Sequence, residues 1–142
     1  MYARILHATD LSEKHFHICE QAMQIAQRFN AKLYLLHVIE PPVSLQLAQG
    51  LGFAEFDNPD QIKADAQAVL ATLGEAINVP LQQQFVEIGP INSHVFEKIK
   101  ELACELVIIG SHTPSNLPQF LGSTAHTIVQ QANCDVLTLR VP

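Results

Sequence analysis

A single open parallel sheet of five strands with helices on both faces, an α/β fold, is predicted by three observations. Short apolar runs alternate with amphipathic segments along the whole 142-residue chain. One of those runs, Lys32 to Ile39, is almost continuously apolar, as a strand covered on both faces must be. Glycine and hydroxyl residues follow a strand at Gly110-Ser111 and open a helix at Gly122-Ser123-Thr124-Ala125, where bare N–H groups and the positive end of a helix dipole meet. Parallel neighbours need right-handed crossovers, and the amphipathic segments supply them. The length suits one domain, 1–142.

Taken in order, Arg4 to Thr9 reads as a strand. Asp10-Leu11-Ser12 then offers helix-capping chemistry before a periodic segment with Phe16, Cys19, Ala22, Met23, Ala26 and Phe29 on one face. Asn30-Ala31 ends that helix and Lys32 to Ile39 follows as the second strand. Pro41-Pro42 breaks it, and the stretch at about 41–57 carries Leu45, Leu47, Leu51, Phe53 and Phe56 without a sustained period, which predicts a partly ordered flap. Asn58-Pro59 is a cap with proline at the first helical position, and Ile62, Ala66, Val69, Leu70, Leu73 and Ile77 mark the inward face of the helix it starts. After Pro80 a strand is expected from about Leu81 to Glu87. Gly89-Pro90 turns into a helix with Ile91, Val95, Ile99 and Leu102 inward. Leu106 to Ile109 is the fourth strand, Ser123 to Gln131 a helix, and Val136 to Val141 the fifth strand.

Composition narrows the function. With 48% apolar and 15% charged residues and a formal charge of −6, the chain fits a compact globule and disfavours nucleic acid or an anionic membrane as partner. The chain runs from Met1-Tyr2-Ala3-Arg4 straight into a strand pattern, with no charged-then-apolar leader and no apolar segment of spanning length, so a cytoplasmic location is expected. Cys19, Cys104 and Cys134 form no CxxC and cannot all pair, which favours reduced thiols over a disulfide framework. His15 and Cys19 stand one helical turn apart, but a zinc site needs further ligands and none is suggested, so no metal is expected. No GxSxG elbow, Walker lysine, GxGxxG fingerprint or HExxH pair occurs, and no enzyme is expected.

Ligands of open α/β sheets bind beyond the carboxyl ends of the strands, where the strand order reverses. If the first and fourth strands are the neighbours at that reversal, Thr9-Asp10 and Gly110-Ser111 face each other. Five marks then resemble the universal stress protein family across essentially the whole chain. They are Arg4-Ile5-Leu6 leading to Thr9-Asp10-Leu11-Ser12, Leu36-His37-Val38, Gly89-Pro90-Ile91, Leu106 to His112, and Gly122-Ser123-Thr124-Ala125. The resemblance implies a Rossmann-like α/β fold with sheet order 3-2-1-4-5 and a two-fold homodimer built through strand 136–141. That strand, as an apolar sheet edge without proline before Pro142, invites pairing on its own account.

ATP-binding members of that family share G-x2-G-x9-G-[S/T]. Here the second glycine position is Thr113, followed by Pro114, and Gly110 to Gly122 is one residue short of the motif. A branched side chain there strains a positive φ or a close phosphate approach. Together with Cys134-Asp135, this is similar to the subgroup of the founding stress protein, in which nucleotide binding is generally not found. By resemblance, Asp10 would meet the ribose or adenine, Ala8 and Val38 would line the base, Gly110, Gly122, Ser123 and Thr124 would lie near phosphates, and Thr9 belongs to the same site. The expected function is therefore a dimeric, non-catalytic stress-response protein with a degenerate nucleotide crevice and unknown protein partners, requiring no cofactor. The alternative is a sensor of ATP or AMP using the same crevice. Asp10 suits helix capping as well as it suits a ribose, and for Ser123 and Thr124 capping is the default use. His112 and His126 suit solvated surface positions, and His7 and His37 packed neutral ones.

Overall fold

The structure, a computed structural model, describes residues 1–41, 43–52, 58–111 and 123–141. Their order is β1 (Arg4–Ala8), α1 (Glu13–Phe29), β2 (Lys32–Ile39), α2 (Val43–Gly50), α3 (Pro59–Ala76), β3 (Gln84–Ile88), α4 (Ile91–Leu102), β4 (Leu106–Ser111), α5 (Ser123–Gln131) and β5 (Asp135–Arg140). The five strands form one parallel sheet in the order β3-β2-β1-β4-β5, as the resemblance implied.

Period-two alternation sends each strand's side chains to two cores. Ile5, Leu33, Leu35, Val86, Leu106 and Ile108 pack under Cys19, Ala22 and Ala26 of α1 and Leu70 of α3. Leu6, Leu36, Val38, Val107 and Ile109 pack under Val95 and Ile99 of α4 and Ala125 and Ile128 of α5. Each large side chain fully buried here, such as Leu6, Leu35 or Ile108, contributes about 1.5–3 kcal/mol relative to an exposed one. Because β1 is buried from both sides and paired to β2 and β4, its carboxyl end sits at the centre of the sheet's upper edge.

Several local expectations need correction. In α1 the buried side chains are His15, Ile18, Cys19, Ala22 and Ala26, whereas Phe16 and Phe29 are 38% and 39% exposed. Phe29 is held instead by Tyr2, ring edge to face at 5.0 Å. Within the stretch read as a flap, α2 is a helix of 8 residues, with Leu47 and Leu51 exposed; Pro42 and 53–57 lie outside the described residues. Asn58 precedes α3 in a left-handed conformation and makes no side-chain cap, so Pro59 alone carries the start. The stretch from Leu81 to Gln83 is a 3-10 turn, and β3 begins only at Gln84. Val69 of the expected inward face of α3 is 51% exposed, and Gly74 is buried against the Gln84 side chain.

Candidate functional site

At the switch between β1 and β4 the register sets Ala8 beside Leu36 on one side and Ile109 on the other. A cavity of about 190 Å³ opens there. Its floor is Ala8, Leu36, Val38 and Ile109 from three strands; Ile91 at the start of α4 and Thr124, Ala125 and Ile128 of α5 wall one side. Thr9, Asp10, His15, His37 and Gly110 complete the rim. Asp10 and Gly110 thus share one cavity although 100 positions separate them in the chain.

The loop between β1 and α1 is fixed by its own hydrogen bonds. Thr9 N–H donates to the Leu36 carbonyl at 2.9 Å, and the Thr9 carbonyl accepts from His37 Nδ1 at 2.8 Å. Since a carbonyl only accepts, His37 carries its proton on Nδ1 in this bond. Thr9 Oγ1 accepts from Leu11 N–H at 3.2 Å and from the Cys19 thiol at 3.7 Å. Leu11 itself is left-handed at φ 65°, a conformation that costs an ordinary side chain of order 1 kcal/mol, and these bonds hold it there. Ser12 caps α1, accepting from His15 N–H at 3.4 Å, while Ser12 N–H donates to Asp10 Oδ1 at 2.8 Å. Asp10 therefore shapes the turn before the helix, and Ser12 is the cap.

The remaining carboxylate oxygen, Asp10 Oδ2, lies 3.2 Å from His15 Nε2. His15 occupies the third helical position, from which a side chain reaches back over the N-terminus. That position is the signal by which the sequence could have placed it at the rim. Its ring also lies against Gly110: a β-carbon on Gly110 would fall 2.9 Å from His15 Cε1 and 2.9 Å from Val141 Cγ2. The adjoining His7 is wholly buried, and its Nδ1–H donates to the Ile108 carbonyl at 2.9 Å.

Of the residues expected at a ligand, Ala8, Thr9, Asp10, Val38, Gly110 and Thr124 line this one cavity. Ser123 begins α5 as an exposed residue, away from the lining. Gly122, with His112, Thr113 and Pro114, lies outside the described residues. His15 and Ile91 are wall residues, and His37 a rim residue, beyond those expected from the sequence. Among the described residues no group of three or more His, Cys, Asp or Glu side chains is placed to hold a metal ion. In the same residues no helix is long and apolar enough to cross a membrane.

A sequence model described as the Universal stress protein family matches residues 1–140. The chain belongs to that family. Universal stress protein A homolog 1 of Coxiella burnetii is 33% identical to this universal stress protein over 145 aligned positions, covering 97% of this chain and 96% of its own length. Among solved structures, universal stress protein UspA from Lactobacillus plantarum superposes with a TM-score of 0.72 at 20% identity, over 98% of each chain. A universal stress protein crystallised in complex with cAMP superposes with a TM-score of 0.71 at 19% identity, covering 99% of this chain and 98% of its own. These superpositions agree with the parallel sheet and its strand order.

Proposed function

We propose that this universal stress protein is a cytoplasmic, non-catalytic stress-response protein whose crevice takes an adenine nucleoside or nucleotide. The observation that carries the reading is the cavity itself. It has an apolar floor suited to a flat base, with Asp10 on the rim suited to sugar hydroxyls and the N-terminus of α5 at Thr124 suited to an anion. A fold neighbour that holds cAMP supports the same class of ligand. Thr9 Oγ1, the hydroxyl at the end of β1, is engaged as an acceptor in holding its own loop, which supports binding over nucleophilic chemistry. Thermal melting with adenosine, AMP, cAMP and Mg-ATP tests it. A ligand at about 100 times its Kd should stabilise the fold by about 2.7 kcal/mol. No shift with any of the four removes the reading, and steady hydrolysis removes its non-catalytic part.

A two-fold dimer through β5 is the second element of the proposal. β5 is an edge strand whose Val136, Leu137 and Leu139 are only partly covered. An apolar edge of this kind favours a partner that hides it. Sedimentation velocity at micromolar concentration should give a dimer, and a monomer would refute it.

A further inference from the structure

Glu40 stands two residues beyond Val38, on the sheet face whose Leu36 and Val38 give the crevice its floor. Its carboxylate crosses to α4: Ile91 N–H donates to Glu40 Oε2 at 3.3 Å, between residues 51 positions apart in the chain. The ladder from β2 to β3 carries the chain as far as Gly89, whose N–H donates to the Ile39 carbonyl at 2.9 Å. Past it, the Glu40 bond ties β2 to the first residue of α4.

That helix start has no side-chain cap of its own. Pro90 precedes it without a side-chain hydrogen bond, and its first turn holds no acidic residue. The leading amides of a helix lack partners within it, and the positive end of its dipole favours a carboxylate. Glu40 supplies that carboxylate from another element. It does not itself line the cavity, whereas Ile91 walls it and Val38 is part of its floor. The bond therefore joins two sides of one slot. A gap of about 0.5–1 Å between a flat base and either side forfeits roughly a quarter to a half of their van der Waals attraction.

We infer that Glu40 is a positioning residue of the crevice, holding Ile91 at the distance from Val38 that grips an adenine base. This rests on the reading of the crevice as an adenine-ligand site. Isothermal titration of the whole chain with adenosine, or with AMP if only AMP binds, tests it at a temperature where circular dichroism shows every variant folded. Glu40→Gln keeps an oxygen for Ile91 N–H and lacks the charge, so it is the reference for Glu40→Ala. The alanine variant should have a Kd about three- to tenfold higher than the glutamine variant. With Ile91→Ala there is no wall left to place, and the same two variants should then agree within about twofold. Ile91→Val takes its place if the alanine background does not bind, with a smaller difference than in the wild-type background. A cap that only stabilises the helix would lower the melting temperature and leave the Kd alone. Equal Kd values for Glu40→Ala and Glu40→Gln, or the same difference in both backgrounds, overturn the role of Glu40 while leaving the adenine site standing. If the wild type binds neither ligand, the adenine reading falls and the role of Glu40 with it.

Discussion

His7 on β1 and Ile108 on β4 are joined by a side chain as well as by the sheet: the imidazole, fully buried, donates from Nδ1 to the Ile108 carbonyl at 2.9 Å. Its Nε2 has no hydrogen-bond partner among the described residues. Burial, with a smaller push from His15, brings the ring's pKa down from 6.5 to about 4, and the Ile108 bond and Asp10 act the other way without prevailing.

The burial of that ring sets a pH dependence. The native ring is neutral, while the unfolded chain takes up a proton below pH 6.5, so the contribution is complete above 6.5 and is lost as pH falls towards 4. About 3 kcal/mol of stability should disappear across that window, an upper figure for one buried histidine. His7→Gln keeps an N–H for Ile108 but cannot take the proton. Urea unfolding at several pH values should show the wild-type slope flattened in the variant; parallel slopes would assign the acid sensitivity elsewhere.

Gly110→Ala should destabilise the fold by about 1–3 kcal/mol, since the added carbon meets His15 and Val141 in a packed rim. Combined with His15→Ala, the loss should be smaller than the sum of the two single effects by about 1 kcal/mol. A double-mutant cycle by chemical denaturation measures this, and strict additivity would mean that the two positions do not press on each other.

Gly89 joins β3 to α4 at φ +145°, and a β-carbon there would fall 2.7 Å from His94 Nε2. His94 is tied back to the Ile88 carbonyl at 3.2 Å and so cannot move away freely. Gly89→Ala should cost about 2 kcal/mol or more, from strain and crowding together. An unchanged denaturation midpoint would show that the turn can be rebuilt with an ordinary φ.

The thiols should label unequally. Burial pushes Cys19 up to about 11 and Cys104 up to about 12, whereas Cys134 is only partly buried, with its pKa raised by burial and by Asp135. The thiolate is the reactive form. Iodoacetamide at pH 8 followed by mass spectrometry should modify Cys134 first and the other two only on unfolding. Equal rates in the native protein would contradict the burial of Cys19 and Cys104.

How far the sequence could be read depends on which force decides each element. Strands β1, β2 and β4 and the face of α1 through Cys19, Ala22 and Ala26 are set by hydrophobic periodicity, which is local and visible. Phe16 and Phe29 were misplaced because an aromatic ring at the edge of a helical stripe can pack sideways, as Phe29 does on Tyr2. The 3-10 turn at Leu81–Gln83 follows from tertiary contacts, among them Gln83 Nε2 donating to the Leu33 carbonyl at 2.8 Å, 50 positions away. At the cavity, Asp10 and Gly110 were suggested by loop chemistry at the ends of two strands. His15 was not: its third place in α1 is the one local hint of the rim, and its contact with Gly110, from another strand, leaves no local pattern. Gln84 is a similar case, filling the space above Gly74 on α3 while donating to the Val79 carbonyl at 2.9 Å.

The central place of β1 also has a consequence in time. A ribosome releases the chain from its N-terminus, so β1, β2 and β3 can emerge and associate while β4 and α5 are still unmade. Until then Ala8 and Asp10 face water on the side that Ile109, Thr124 and Ile128 will occupy. The crevice is thus walled only once α5 has been made, and whatever it holds can be captured only by a polypeptide that has grown past that helix.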